Sequence, residues 1–206
     1  MNVLRPLFEI AMARGVTQET IVLLLLLPLV ATFVSAARYL IGIRGLGIFT
    51  PVMLAAVLWA TGFYPGLFLF LTVMFVATLA RLLLKKIKLH YLARMALLFW
   101  FICIGALLVL LELQFSLIAL LILIFLTQDF IKVQLAKGLR QSLRLSTETL
   151  VLGLGGLILL SWRWLQRAAF SQPELTILGT AILNLLIGRF AGLRLLEYQR
   201  FKRLLK

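Results

Sequence analysis

Seven carboxylates, one imidazole and one thiol are all that this chain of 206 residues offers for acid–base, nucleophilic or metal chemistry, against 21 Lys and Arg. The single His, His90, stands in the basic stretch Lys88-Leu89-His90-Tyr91. One His cannot make a His-Glu-x-x-His zinc site or a His-rich cage. A Ser-His-Asp triad would have to be built on His90 alone. There is no Gly-x-Ser-x-Gly elbow and no P-loop. The cluster Gly153-Leu154-Gly155-Gly156 lies in an apolar run, where small residues let helix backbones approach closely. Cys103 also lies in an apolar run and reads as a small packing residue; as the sole Cys it has no intrachain disulfide partner. These residues predict neither an enzyme nor a cofactor or metal site.

What remains is charge at unusual places. Asp129 follows Thr127 and Gln128 near the end of an apolar run, where an ionised carboxylate costs a few kcal/mol unless paired. Lys132, one turn on, is its nearest candidate partner, with Arg38, Arg81 and Arg94 as others. Glu148 lies in Ser146-Thr147-Glu148-Thr149 at the start of the next run, where a first-turn carboxylate suits the helix dipole and Ser146 suits an N-cap. Arg144 is its sequence neighbour at four residues. Paired carboxylates are the bland reading; a substrate or proton site is the sharper one. Arg38, Arg81 and Arg94 can snorkel, or can line an anionic pocket. The segment from Gly42 to Pro51, with Arg44, Gly45 and Gly47 between, breaks the helical pattern before an apolar run. Irregular backbone at membrane depth must be buried in protein or line a wet cavity. Freed N–H groups beside Arg44 would suit an anion or a lipid headgroup. The candidate polar site is thus Arg38, Arg44, Gly47, Pro51, Arg81, Arg94, Asp129 and Glu148.

The elements that must position these residues are apolar. The hydrophobic fraction is 63% and the mean hydropathy +1.10, well above the half-apolar make-up of soluble domains. Such a chain cannot cover itself with polar surface, so the bilayer is its solvent. Seven apolar runs follow one another, at about 20–41, 46–61, 65–84, 91–111, 115–131, 147–164 and 175–190. At ~1.5 Å per residue most are long enough for the ~30 Å hydrocarbon core. Pro28 is predicted to kink the first run, and Asn184 in the last reads as interhelical glue. Short connections make neighbours antiparallel. The expected fold is an all-α, polytopic bundle of seven transmembrane helices over 20–190, preceded by a short amphipathic or linker segment at 1–19 and followed by a basic amphipathic tail at 191–206. The connection 132–146 has its own apolar and basic faces and is predicted to be a short helix at the headgroups.

Charge gives the orientation. Arg38, Arg44, the cluster from Arg81 to Arg94, the cluster from Lys132 to Arg144 and everything basic from Arg189 onward fall on one side of a seven-span topology. Arg5, Arg14, Arg163 and Arg167 fall on the other. That asymmetry predicts an outside N-terminus and a cytoplasmic C-terminus. Trp59, Trp162 and Trp164 then lie at the outer interface, where amphipathic rings prefer to sit. The net charge of +14 is therefore read as topology and contact with anionic lipid on the cytoplasmic face, not as a nucleic-acid footprint.

Two stretches carry a resemblance. Arg38-Tyr39-Leu40-Ile41-Gly42 through Gly47-Ile48-Phe49-Thr50-Pro51, and Gly188-Arg189-Phe190-Ala191-Gly192-Leu193-Arg194 through Glu197-Tyr198, resemble the opening and closing motifs of a bacterial seven-helix membrane domain usually fused to an inactive transglutaminase-like domain. In the closing motif, Phe190 and Ala191 stand where the family has a hydroxyl-bearing pair. The resemblance implies an inner-membrane, multi-pass location and an extracytoplasmic domain. Only about 20 residues precede the first run, so that domain is expected to be absent, truncated away or supplied by a separate chain. The resemblance also implies an association with ATP-grasp peptide ligases. The expected function is a scaffold or anchor that couples a transglutaminase-like or ATP-grasp ligase partner to the membrane. The alternative is a transporter or flippase for a small peptide or lipid-linked product.

Overall fold

The computed structural model describes residues 5–84, 87, 90–112 and 117–189. Among these every regular element is helical, as expected where backbone groups have no water to bond and must satisfy one another within the segment. The helices are α1 (Arg5–Ala13), α2 (Gln18–Ala36), α3 (Phe49–Thr61), α4 (Phe63–Leu84), α5 (Tyr91–Glu112), α6 (Leu117–Lys137), α7 (Leu139–Ser161), α8 (Arg163–Ser171) and α9 (Pro173–Gly188). Helix α2 is capped by Thr17, whose hydroxyl accepts the Thr20 N–H at 3.4 Å, and has Glu19 in its first turn. It runs through Pro28 and closes with a wider π turn, Ala37–Ile41.

Among the described residues, five helical segments are long and apolar enough to cross a membrane: Gln18–Ile41, α4, the Tyr91–Leu108 part of α5, Ile118–Lys137 of α6, and α7. Helices α8 and α9, bent by 107° at Gln172, make a sixth when taken as one span. The seventh apolar segment, α3, has 13 residues, or about 20 Å of helix against a ~30 Å hydrocarbon core. Its shortness has a partner in the irregular stretch 42–48 before it.

Two expectations need correction. No separate helix occupies 132–146: α6 continues through Lys137, and α7 begins at Leu139. The only break is Gly138, whose φ of +83° an L side chain resists. Ser146 and Glu148 therefore lie inside α7 rather than at its start, and Ser146 donates back to the Ser142 carbonyl at 2.9 Å instead of capping. Amphipathic pattern alone could not separate a surface helix from helix ends that are basic because they reach the membrane boundary. Conversely, α8 was not expected; its Arg163, Gln166 and Arg167 alternate with Ala169, which is buried, and Phe170.

The chain divides into two compact units. One contains 57–147. There α4 packs on α5 and α6, with Leu69, Ala77, Leu98 and Phe130 fully buried. A Cβ at Gly105 of α5 would come within 2.7 Å of Val76 on α4, which is why that position is bare. Gln134 of α6 is fully buried and donates to the Thr78 hydroxyl of α4 at 3.4 Å.

The other unit contains residues up to Ala56 and from Glu148. Here α2 packs on α8 and α9. The glycine cluster of α7 does what its composition suggested. Added Cβ atoms would meet Leu54 of α3 at 2.9 Å from Gly153, Phe33 of α2 at 2.7 Å from Gly155, and both Val30 at 2.7 Å and Ala55 at 2.8 Å from Gly156. Asn184 of α9 donates to the Thr32 hydroxyl at 2.8 Å, and Thr32 in turn donates to the Pro28 carbonyl at 2.8 Å. The asparagine is interhelical glue, as read from the sequence. Phe8 of α1 stacks on Phe170 of α8 with ring centroids 6.2 Å apart, so the two short amphipathic helices meet each other.

Candidate functional site

The π turn at the end of α2 is closed by the Gly42 N–H, which donates to the Ala37 carbonyl at 3.0 Å. Gly42 itself is left-handed at φ +100°, as a residue ending a helix in this way must be. The chain then runs without regular hydrogen bonding until α3 begins at Phe49. Three consecutive backbone N–H groups in this loop need acceptors, and α7 supplies them. Glu148 Oε2 accepts the N–H of Arg44 at 2.9 Å and that of Gly45 at 3.2 Å. The next residue, Thr149, accepts the Leu46 N–H on its Oγ1 at 2.7 Å. The loop carbonyls are met from the other direction. Arg38 Nη2 donates to the Arg44 carbonyl and, at 3.1 Å, to the Gly45 carbonyl.

Side chains thus do for this loop what a helix does for itself, which is the condition for non-helical backbone in a membrane protein. The tie is tight. Gly45 sits at φ +50°, and a Cβ there would lie 3.3 Å from both Thr149 Oγ1 and a Leu152 methyl. Thr149 is fully buried. Thr50 is also buried, and Pro51 fills the first turn of α3, where its missing N–H costs nothing.

Beside the tie an open cavity of about 310 Å³ is lined by Arg38, Tyr39, Ile43, Arg44 and Ile48. The Arg44 contacts to Glu148 and Arg38 are made through its backbone, and its residue is exposed. Arg38 Nε is buried and has no hydrogen-bond partner.

The structure therefore brings Arg38, Arg44, Gly47, Pro51 and Glu148 into one unit, around one loop. The remaining predicted residues belong to the other unit. Arg81 is in the last turn of α4. Arg94 is in the first turn of α5 and donates to the Ile87 carbonyl at 3.4 Å. Asp129 pairs with Lys132 at 3.6 Å, the nearest of its expected partners, with both side chains about half exposed. Glu148 reaches across 104 positions to the loop, a partner its sequence neighbours do not reveal. Thr149, which holds the third N–H, was not singled out; its only signal was adjacency to an intramembrane carboxylate. Gln134 was missed for a different reason: it lies on α6, which continues past the end of its apolar run.

Of the motif residues, Gly42 forms the end of the π turn, Phe49 opens α3 and is 78% exposed, and Gly188 and Arg189 end α9. Gly192, Arg194, Glu197 and Tyr198, with the rest of the amphipathic tail, lie outside the described residues. Among the described residues no cluster of three or more metal-ligating side chains occurs. No curated protein and no solved structure matches the chain. Over residues 7–205 it matches a family described as seven transmembrane helices usually fused to an inactive transglutaminase. With all but a few terminal residues covered, and with apolar helices along the chain, the protein is a multi-pass membrane protein that belongs to this seven-transmembrane transglutaminase-associated family.

Proposed function

We propose that the chain is an anchor domain of the bacterial cytoplasmic membrane, with its N-terminus outside and its C-terminus in the cytoplasm, coupling a transglutaminase-like domain or an ATP-grasp ligase to the bilayer. The observation that carries this reading is the family's usual fusion to an inactive transglutaminase. A domain that no longer catalyses and is joined to a membrane bundle is held there to bind or to position. The placement of polar side chains agrees. Glu148, Thr149 and Arg38 hold a loop, Asn184 joins two helices and Gln134 joins two others. The charge asymmetry supports the orientation, and the basic tail from Arg189 offers a cytoplasmic docking segment.

Affinity purification from native membranes tests the coupling. A transglutaminase-like chain or an ATP-grasp ligase should co-elute; its absence under mild detergent overturns the reading. Orientation is tested with single cysteines at 85–90 in a Cys103→Ser background. Labelling by an impermeant reagent from outside would overturn it.

The cavity beside Arg38 and Arg44 favours a second reading, a transporter or flippase for a small peptide or lipid-linked product. The two separate cleanly. An anchor loses function on removal of 192–206 and keeps it in Asp129→Asn. A transporter tolerates the truncation, fails on loss of its polar site, and shows substrate-dependent flux in liposomes.

A further inference from the structure

We infer that the cavity at the end of α2 binds one anionic phospholipid, with its phosphodiester held between the guanidinium groups of Arg38 and Arg44. Four observations converge on this ligand. First, the loop's own N–H groups, the usual anion cradle, are taken by Glu148 and Thr149, so the cationic character of the place comes from side chains. Second, two guanidiniums, those of Arg38 and Arg44, line the one cavity, a cationic pair suited to the oxygens of a phosphodiester. Third, Arg38 spends Nη2 on the loop carbonyls yet keeps a buried Nε without a partner. An unpaired buried donor is a cost, and a small rotation of the guanidinium toward a phosphate oxygen in the cavity would remove it. Fourth, the remaining walls are Ile43, Ile48 and Tyr39. A free phosphate has no use for aliphatic walls, whereas a lipid's glycerol and upper acyl carbons do.

Position agrees with chemistry. The membrane-spanning segment Gln18–Ile41 ends where the cavity begins, and the neighbouring Phe49 is 78% exposed. A guanidinium pair at the point where a span leaves hydrocarbon meets headgroup phosphates, and planar guanidinium suits bidentate bonding to phosphate oxygens. This inference holds whichever partner the anchor carries, because it depends only on the loop, α2 and α7. The lipid would complete the loop's electrostatics and hold its register against the membrane surface.

The test is native mass spectrometry of the full chain in detergent, titrated with phosphatidylglycerol, with phosphatidylcholine of the same acyl chains, and with glycerol phosphate. One phosphatidylglycerol should be retained in preference to phosphatidylcholine. Arg38→Gln threatens the loop itself, so the decisive variants are Arg44→Gln, which leaves the backbone contacts in place, and Ile48→Asp, which puts a carboxylate in the wall. Each should weaken retention about tenfold, the worth of one charge-assisted hydrogen bond, and Arg44→Lys should recover part of it. Equal retention of phosphatidylcholine, or unchanged retention in both variants, overturns the site. Competition by glycerol phosphate as effective as by the lipid assigns the cavity to a soluble phosphate ester and overturns the lipid.

Discussion

Glu148 and Asp129 look alike in the sequence, and they are held in opposite ways. Both are single carboxylates near the basic end of an apolar run. Asp129 pairs with Lys132 one turn further along its own helix, at 3.6 Å, with side chains 43% and 56% exposed. Glu148 accepts two backbone N–H groups of the 42–48 loop, far away in the chain. An exposed ion pair at this spacing is worth a few tenths of a kcal/mol, because water and entropy take back most of the attraction. A carboxylate that satisfies two backbone donors is worth several times more. The surroundings of a membrane carboxylate, more than its presence, decide which groups it holds.

That contrast can be broken or sharpened by substitution. The largest effect is expected for Glu148→Ala, which orphans the Arg44 and Gly45 N–H groups together and should cost about 3 kcal/mol in detergent unfolding. Glu148→Gln keeps an acceptor oxygen and should recover about half. A loss equal to that of Asp129→Asn would mean that the loop does not depend on the carboxylate. Gly156→Leu comes next, at about 2 kcal/mol, because its Cβ would press on the Ala55 Cβ at 2.8 Å, an atom fixed to the backbone. Gly179→Ala on α9, where an added Cβ meets nothing within 4 Å, is its control and should be neutral or slightly stabilising. Asn184→Leu should cost about 1 kcal/mol, the scale of one interhelical hydrogen bond in a membrane, and a double-mutant cycle with Thr32→Val should show the two effects as one. Asp129→Asn should change stability by less than about 0.5 kcal/mol and lose even that at high salt.

Much of this was legible before any coordinates. The glycine cluster at 153–156, the Asn184 glue and the Asp129–Lys132 pair depend on small residues, on a lone polar residue and on a spacing, all of which are local. The apolar runs located the helices to within a few residues, except where two helices meet at Gly138 and at α8, which no run foretold. There the basic residues at 132–144 mark membrane-boundary ends of α6 and α7, yet they form the same amphipathic pattern as a surface helix. Periodicity reports which residues share a face; it does not say whether that face continues the helix before it. The partners of Glu148, Thr149 and Gln134 were out of reach because each contact joins elements far apart in the chain.

From the sequence alone came the solvent and the class of fold. Apolar length and the obligation of backbone groups to bond internally leave a helical bundle in a bilayer as the consistent outcome. The irregular loop after α2 could also be placed, because its glycines sit where helix periodicity stops. Tertiary structure alone decided what makes that loop tolerable at the membrane: Glu148 and Thr149 take its N–H groups while Arg38 takes its carbonyls. A hydrogen bond needs two atoms within about 3 Å, and a chain folded through several helices sets that distance by packing, not by sequence separation.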